Sequence, residues 1–65
     1  MLSISNNDVR LAVSKVGGPT KASNLLGVSN GVVHYWIREH RVPNIDLARR
    51  LAEISGMKLE ELRPV

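Results

Sequence analysis

Residues 19–38, PTKASNLLGVSNGVVHYWIR, place two short apolar-faced helices on either side of one tight turn. Pro19 suits a first helical position, where its missing N–H costs nothing. Ala22, Leu25 and Leu26 supply an apolar side. Gly27 then provides a residue free to adopt positive φ. Val28 follows, and Ser29 is placed to cap a second helix over about 29–38, with Val33, Trp36 and Ile37 on its inner face. This is the spacing of a helix-turn-helix.

The chain has 65 residues, which makes one domain, residues 1–65, with this unit at its centre. A domain so small buries only about 60% of the surface its unfolded chain exposes, so it must pack well or associate. The remaining residues also read as helix. The first helix spans about 6–16, with Ser5 as its cap and Asp8 three residues later in a capping-box-like position. Val9, Ala12, Val13 and Val16 form its buried stripe, and Gly17-Gly18 ends it. His40-Arg41-Val42 make a basic connector to a fourth helix over about 44–55, in which Leu47, Leu51 and Ile54 repeat beside Ala48. Gly56 stands at its C-terminal stop, and Lys58–Leu62 can add one last turn before Pro64. No strand pattern, repeat or low-complexity stretch interrupts this order. The predicted core is Val9, Val13, Val16, Ala22, Leu25, Leu26, Val33, Trp36, Ile37, Leu47, Leu51 and Ile54.

Composition narrows the function classes. Cysteine is absent, which excludes disulfides and Cys-based metal sites and fits a reducing cytoplasm. His34 and His40 project from different sides of a helix, so no shared metal is expected, and no cofactor. No apolar run approaches the ~18 residues of a membrane span, and MLSISNND lacks the features of a signal peptide. GGPTK lacks the spacing of a phosphate-binding P-loop. No catalytic grouping stands out, and so small a core leaves little room for a cleft, so an enzyme is not expected. Asp46, Glu53, Glu60 and Glu61 read as solvated helix charges.

The net charge of +3 is uneven. Residues 1–50 carry seven basic against three acidic residues, +4, whereas 51–65 carry two against three, −1. A basic body around a helix-turn-helix suits a polyanion. The dominant use of the unit is to lay its second helix in the major groove of DNA. On that helix Val33, Trp36 and Ile37 fall within an arc of about 100°, while Gly31, His34, Tyr35 and Arg38 cluster opposite and Asn30 stands at the N-terminal rim. Asn can bond adenine N6 and N7 together, and Arg can bond guanine O6 and N7. Because the N-terminal turn enters deepest, Asn30, Gly31 and His34 are better placed for base edges than Arg38. Val32 can touch a thymine methyl. Gly31 reads either as a site of close approach to DNA or as a tolerated surface glycine, at about 1 kcal/mol against Ala. Tyr35 reads either as a phosphate contact or as packing under residues 41–43. Arg38 and Arg41 suit phosphates, as do Thr20 and Lys21 beside the exposed N–H groups of the second helix.

The runs VGGPTKASNLLGVSNGVVHYWI, RVPNIDLARRLAEISG and ELRP together resemble the Cro-like phage repressors, in particular the YdaS-type members found in prophages. The resemblance covers roughly residues 10–64. It implies an all-α, five-helix domain of the lambda-repressor-like, Cro-like class and a small repressor of operator DNA near its own promoter, in the cytoplasm of a bacterial host and nucleoid-associated when bound. The family's base-reading positions correspond to Ser29, Asn30, Gly31, His34 and Tyr35. Pro19 departs from a Gln that can bond a phosphate, and Ser23 stands where Ala or Gly is usual. Members with a C-terminal hairpin exist, but the helical frame of Leu59, Glu60, Glu61 and Leu62 predicts the all-helical form. The resemblance also implies an alternative, an antitoxin acting on a toxin partner; a third reading is the DNA-binding fragment of a longer repressor. One recognition helix covers few base pairs, so pairing on a palindrome is expected. Met57, Leu59, Leu62 and Val65 are the apolar residues offered for a weak homodimer, formed alone or only on DNA, with capping of the monomer's core as their other reading.

Overall fold

Short signals of capping and chain reversal decide where the helices of this protein begin and end. The computed structural model describes residues 7–63, all of them in helices or in the caps and turns that flank them. The helices are α1 (Asp8–Lys15), α2 (Pro19–Leu26), α3 (Asn30–Glu39), α4 (Ile45–Ser55) and α5 (Leu59–Leu62). No strand occurs among the described residues.

Three helices start on a side-chain oxygen that accepts from an otherwise orphaned N–H. Asn7 Oδ1 accepts from Arg10 N at 3.1 Å, Ser29 Oγ from Val32 N at 3.2 Å, and Asn44 Oδ1 from Asp46 N and Leu47 N at 2.9 and 3.1 Å. The cap of α1 is therefore Asn7 and the helix starts at residue 8, later than expected; Ser5 lies outside the described residues. Asn7 has a second task that the sequence did not show. Its Nδ2 donates to Ile37 O at 2.8 Å, tying the head of α1 to α3. At the head of α5 the order is reversed: Glu61 Oε1 accepts from the backbone N–H of Lys58 at 2.9 Å.

Glycines close two of the helices as expected. Gly27 (φ 71°) ends α2 and Gly56 (φ 75°) ends α4. The third helix ends without one: His40 takes the left-handed conformation at φ 60°. A side chain there costs about 1 kcal/mol. The reversal brings Arg41 N to Trp36 O at 3.1 Å and drops Val42 into the core, fully buried. Val42 N then donates to Leu62 O at 2.9 Å, so the connector and α5 close on each other.

The core gathers Val9, Ala12 and Val13 from α1, Ala22 and Leu26 from α2, and Val33 and Trp36 from α3. Val42, then Ala48, Leu51 and Ala52 from α4, and Leu62 from α5 complete it. Val16, Ile37 and Leu47 pack against it half-buried. Leu25 and Ile54, both expected inside, are 45% exposed. On α2 the buried residues are Ala22, Ser23 and Leu26, and Leu25 stands about 105° from their centre. On α4 the buried stripe is Ala48, Leu51, Ala52 and Ser55, which leaves Ile54 about 110° away. In both helices small residues face inward because they let neighbouring backbones approach. Ser23 and Ser55 meet the cost of burial by donating to Thr20 O at 2.8 Å and Ala52 O at 3.4 Å.

Of the residues expected to offer a dimer surface, one is withdrawn from it. Leu62 is fully buried, and Met57 and Leu59 pack half-buried against the same core. Leu62 completes the protein's own interior because the Val42–Leu62 closure draws α5 onto it. Val65 lies outside the described residues.

This packing predicts unequal costs for two large apolar residues. Trp36→Ala is expected to lose about 3–5 kcal/mol of stability, and Ile54→Ala about 1 kcal/mol or less. Urea unfolding of the two variants measures both; equal losses would contradict the observed stripe on α4.

Candidate nucleic-acid interface

The orientation of α3 follows from its two buried residues. With Val33 and Trp36 inside and Ile37 at the boundary, the helical period turns Gly31, Tyr35 and Arg38 directly outward. Asn30 and His34 stand on one flank, one turn apart, and Val32 and Glu39 on the other. All seven of these side chains or backbone positions are exposed. The outer face therefore carries a phenol, a guanidinium and a glycine, flanked by an amide and an imidazole.

The structure brings Asn30 and Thr20 together. Asn30 Nδ2 donates to Thr20 Oγ1 at 2.9 Å, across the turn between α2 and α3. The second amide hydrogen and the carbonyl oxygen of Asn30 remain for another partner, as does the hydroxyl hydrogen of Thr20. Gly18, at the N-cap of α2, offers no side-chain acceptor, so the first-turn N–H groups of Thr20 and Lys21 face outward uncapped. The stem of Lys21 passes over Gly17, where an added Cβ would lie 3.3 Å from Lys21 Cγ.

Ser29, expected to meet a base, uses one lone pair of its Oγ to accept from Val32 N and keeps its hydroxyl hydrogen and a second lone pair for another partner. The guanidinium of Arg38 lies 5.7 Å from the centroid of the Tyr35 ring, a cation–π distance that holds both side chains on the outer face. Tyr35 stays 47% exposed while lining a hollow of about 130 Å³ with Glu39, Arg41 and Pro43. It thus flanks the connector without being covered by it. Thr20 and Lys21 stand near the start of α3 and Arg41 just beyond its end, so the cationic and hydroxyl groups expected at phosphates bracket a helix about 15 Å long.

Gly31 has no internal reason to be glycine. An added Cβ would meet only Ser29 Oγ, at 3.9 Å, and its φ is ordinary for a helix. His34 differs from its neighbours on the outer face. It turns toward α1 and lines a groove with Arg10 and Ser14. Sequence reading missed Arg10 and Ser14. The available signal was their four-residue spacing, which puts them on one side of α1 next to Val13.

Among the described residues no three His, Asp or Glu side chains gather as metal ligands, and no helix is long and apolar enough to cross a membrane. Comparison with protein-family models, with curated proteins and with solved structures found no match to this chain.

Proposed function

We propose that the chain is a sequence-specific DNA-binding regulator of transcription, a Cro-like repressor of phage or prophage type acting as a helix-turn-helix. In this reading α3 lies in the major groove of operator DNA and α2 crosses the backbone at its N-terminus. The observation that carries it is the hydrogen bond between Asn30 and Thr20. A side chain suited to adenine is held by one suited to a phosphate, so the position of the backbone fixes the position of the reader.

The remaining groups support the same division of labour. Gly31 and Tyr35 lie on the side of α3 that enters the groove, Asn30 stands in its first turn, and Ser29 keeps a hydroxyl donor at its mouth. Thr20 and Lys21 offer N–H groups to a phosphate at the head of α2. Arg38 and Arg41 supply charge at the far end, where the strand continues. The +4 balance of residues 1–50 draws the protein to DNA before any base is read. A single copy covers a few base pairs, and two copies on a palindrome, with half-sites about one helical turn apart, would give a site of useful length.

Selection of bound sequences from a random duplex pool tests the reading, and enrichment of a defined motif is the expected outcome. On that motif Asn30→Ala should relax preference at particular base pairs by about 1–3 kcal/mol. Arg38→Ala and Arg41→Ala should weaken binding to every duplex and shallow its salt dependence by about one unit each. A pool that emerges unenriched contradicts sequence-specific binding.

Gly31 offers a test with opposite signs. Gly31→Ala should raise stability by up to about 1 kcal/mol, since Ala is the better helix former and the added methyl meets open space. It should lower DNA affinity if base edges approach the backbone there. Thermal unfolding and gel shift on one preparation measure both, and undiminished affinity would mean that the glycine serves no contact.

A further inference from the structure

A groove of about 310 Å³ opens beside the outer face of α3. Arg10 and Ser14 of α1 form one wall, His34 and Ile37 of α3 the other, and Gly18 and Pro19 close the end, with Val13 as the floor. Three hydrogen-bonding side chains thus share the lining with apolar ones, one of them a permanent cation, and no carboxylate lines the space. That chemistry selects an anion attached to an apolar body. His34 is one turn beyond Asn30 on the same flank, so the groove continues the row begun by the Thr20–Asn30 bond.

We propose that this groove seats a phosphodiester of the DNA backbone, with Arg10 and His34 as donors, and that His34 contacts the backbone and not a base. The inference rests on the reading of α3 as a helix inserted in the major groove. A helix with its side chains is about 10–12 Å across, and the major groove is about 12 Å wide. The helix therefore fills it. The outermost residues meet base edges, and the flanks meet the walls, which are sugar and phosphate. His34 is on a flank. Asn30 shares that flank but sits in the first turn of α3, which enters the groove deepest; His34 is one turn farther back, with α1 beside it. Arg10 gives one guanidinium fork to the phosphate oxygens, His34 a ring N–H and Ser14 a hydroxyl, while Pro19 and Ile37 offer carbon surface to the deoxyribose. The consequence is a footprint that extends past the bases read by α3, on the side of α1.

The test measures affinity of Arg10→Ala, His34→Ala and, for contrast, Asn30→Ala on the best pool-selected duplex and on single-base variants of it, across a series of salt concentrations. Arg10→Ala and His34→Ala should weaken binding to all duplexes by the same factor and leave their ranking unchanged. Arg10→Ala should also reduce the slope of log K against log salt by about 0.9. Ethylation of single phosphates gives a second readout: one flanking phosphate should block the wild-type protein when ethylated and lose that effect in both variants. A changed ranking in His34→Ala means that His34 reads a base and overturns the inference. Wild-type affinity, slope and ethylation pattern in both variants overturn it as well, while the DNA reading stands. A wild-type protein that binds no duplex overturns both.

Discussion

The burial of Trp36 beside Val33 is the contact on which the rest of the arrangement depends. It sets the rotation of α3 about its own axis, and so decides which side chains the helix shows. Val42 joins the same core, brought in by the left-handed turn at His40 and held by the hydrogen bond from its N–H to Leu62 O. The tail of the protein is thereby committed to the interior. Leu62 completes that core, and Leu59 and Met57 pack half-buried against it.

The same constraint explains the layout of the interface. Once α3 cannot rotate, Asn30 and His34 must point along the flank toward α2 and α1, and Gly31, Tyr35 and Arg38 must point away. Gly27 and the Ser29 cap fix where α3 begins relative to α2, and the Asn30–Thr20 bond spans that joint. Asn7, by holding Ile37 O, fixes α1 against the other end of α3. The groove between α1 and α3 is thus bounded by two helices that the Asn7–Ile37 hydrogen bond ties together.

Helix positions were legible in the sequence because single residues with strong local physics mark them. Pro19, Gly27, Ser29 and Gly56 each do in the structure what their chemistry suggests. The first helix was harder, since Ser5 and Asn7 are both good caps and only packing against Ile37 favours the later one. Inward faces were legible where the apolar residues recur at helical spacing along one stripe, as with Val9, Ala12 and Val13 in α1 and Val33 and Trp36 in α3. They were misread where close approach matters more than apolar volume. Ala48, Ala52, Ser55 and Ser23 face inward because they are small, and the larger Ile54 and Leu25 are pushed to the rim. The outer face of α3 follows from periodicity alone. The Asn30–Thr20 bond and the groove at Arg10 do not, because they join residues ten and more positions apart and depend on how the helices cross.

The central claim is that the outer face of α3, with the head of α2, is the surface that meets DNA. Its most direct test is backbone and side-chain amide chemical-shift mapping on ¹⁵N-labelled protein, titrated with a duplex recovered from the random pool. The account predicts that perturbations concentrate at Gly18, Thr20, Lys21, Ser29, Asn30, Gly31, His34, Tyr35 and Arg38, with the Asn30 side-chain amide among the most shifted. Glu53, Ile54 and Glu60 should stay near their free positions. Perturbations centred on α4 and α5, with the Asn30 amide unmoved, would contradict it.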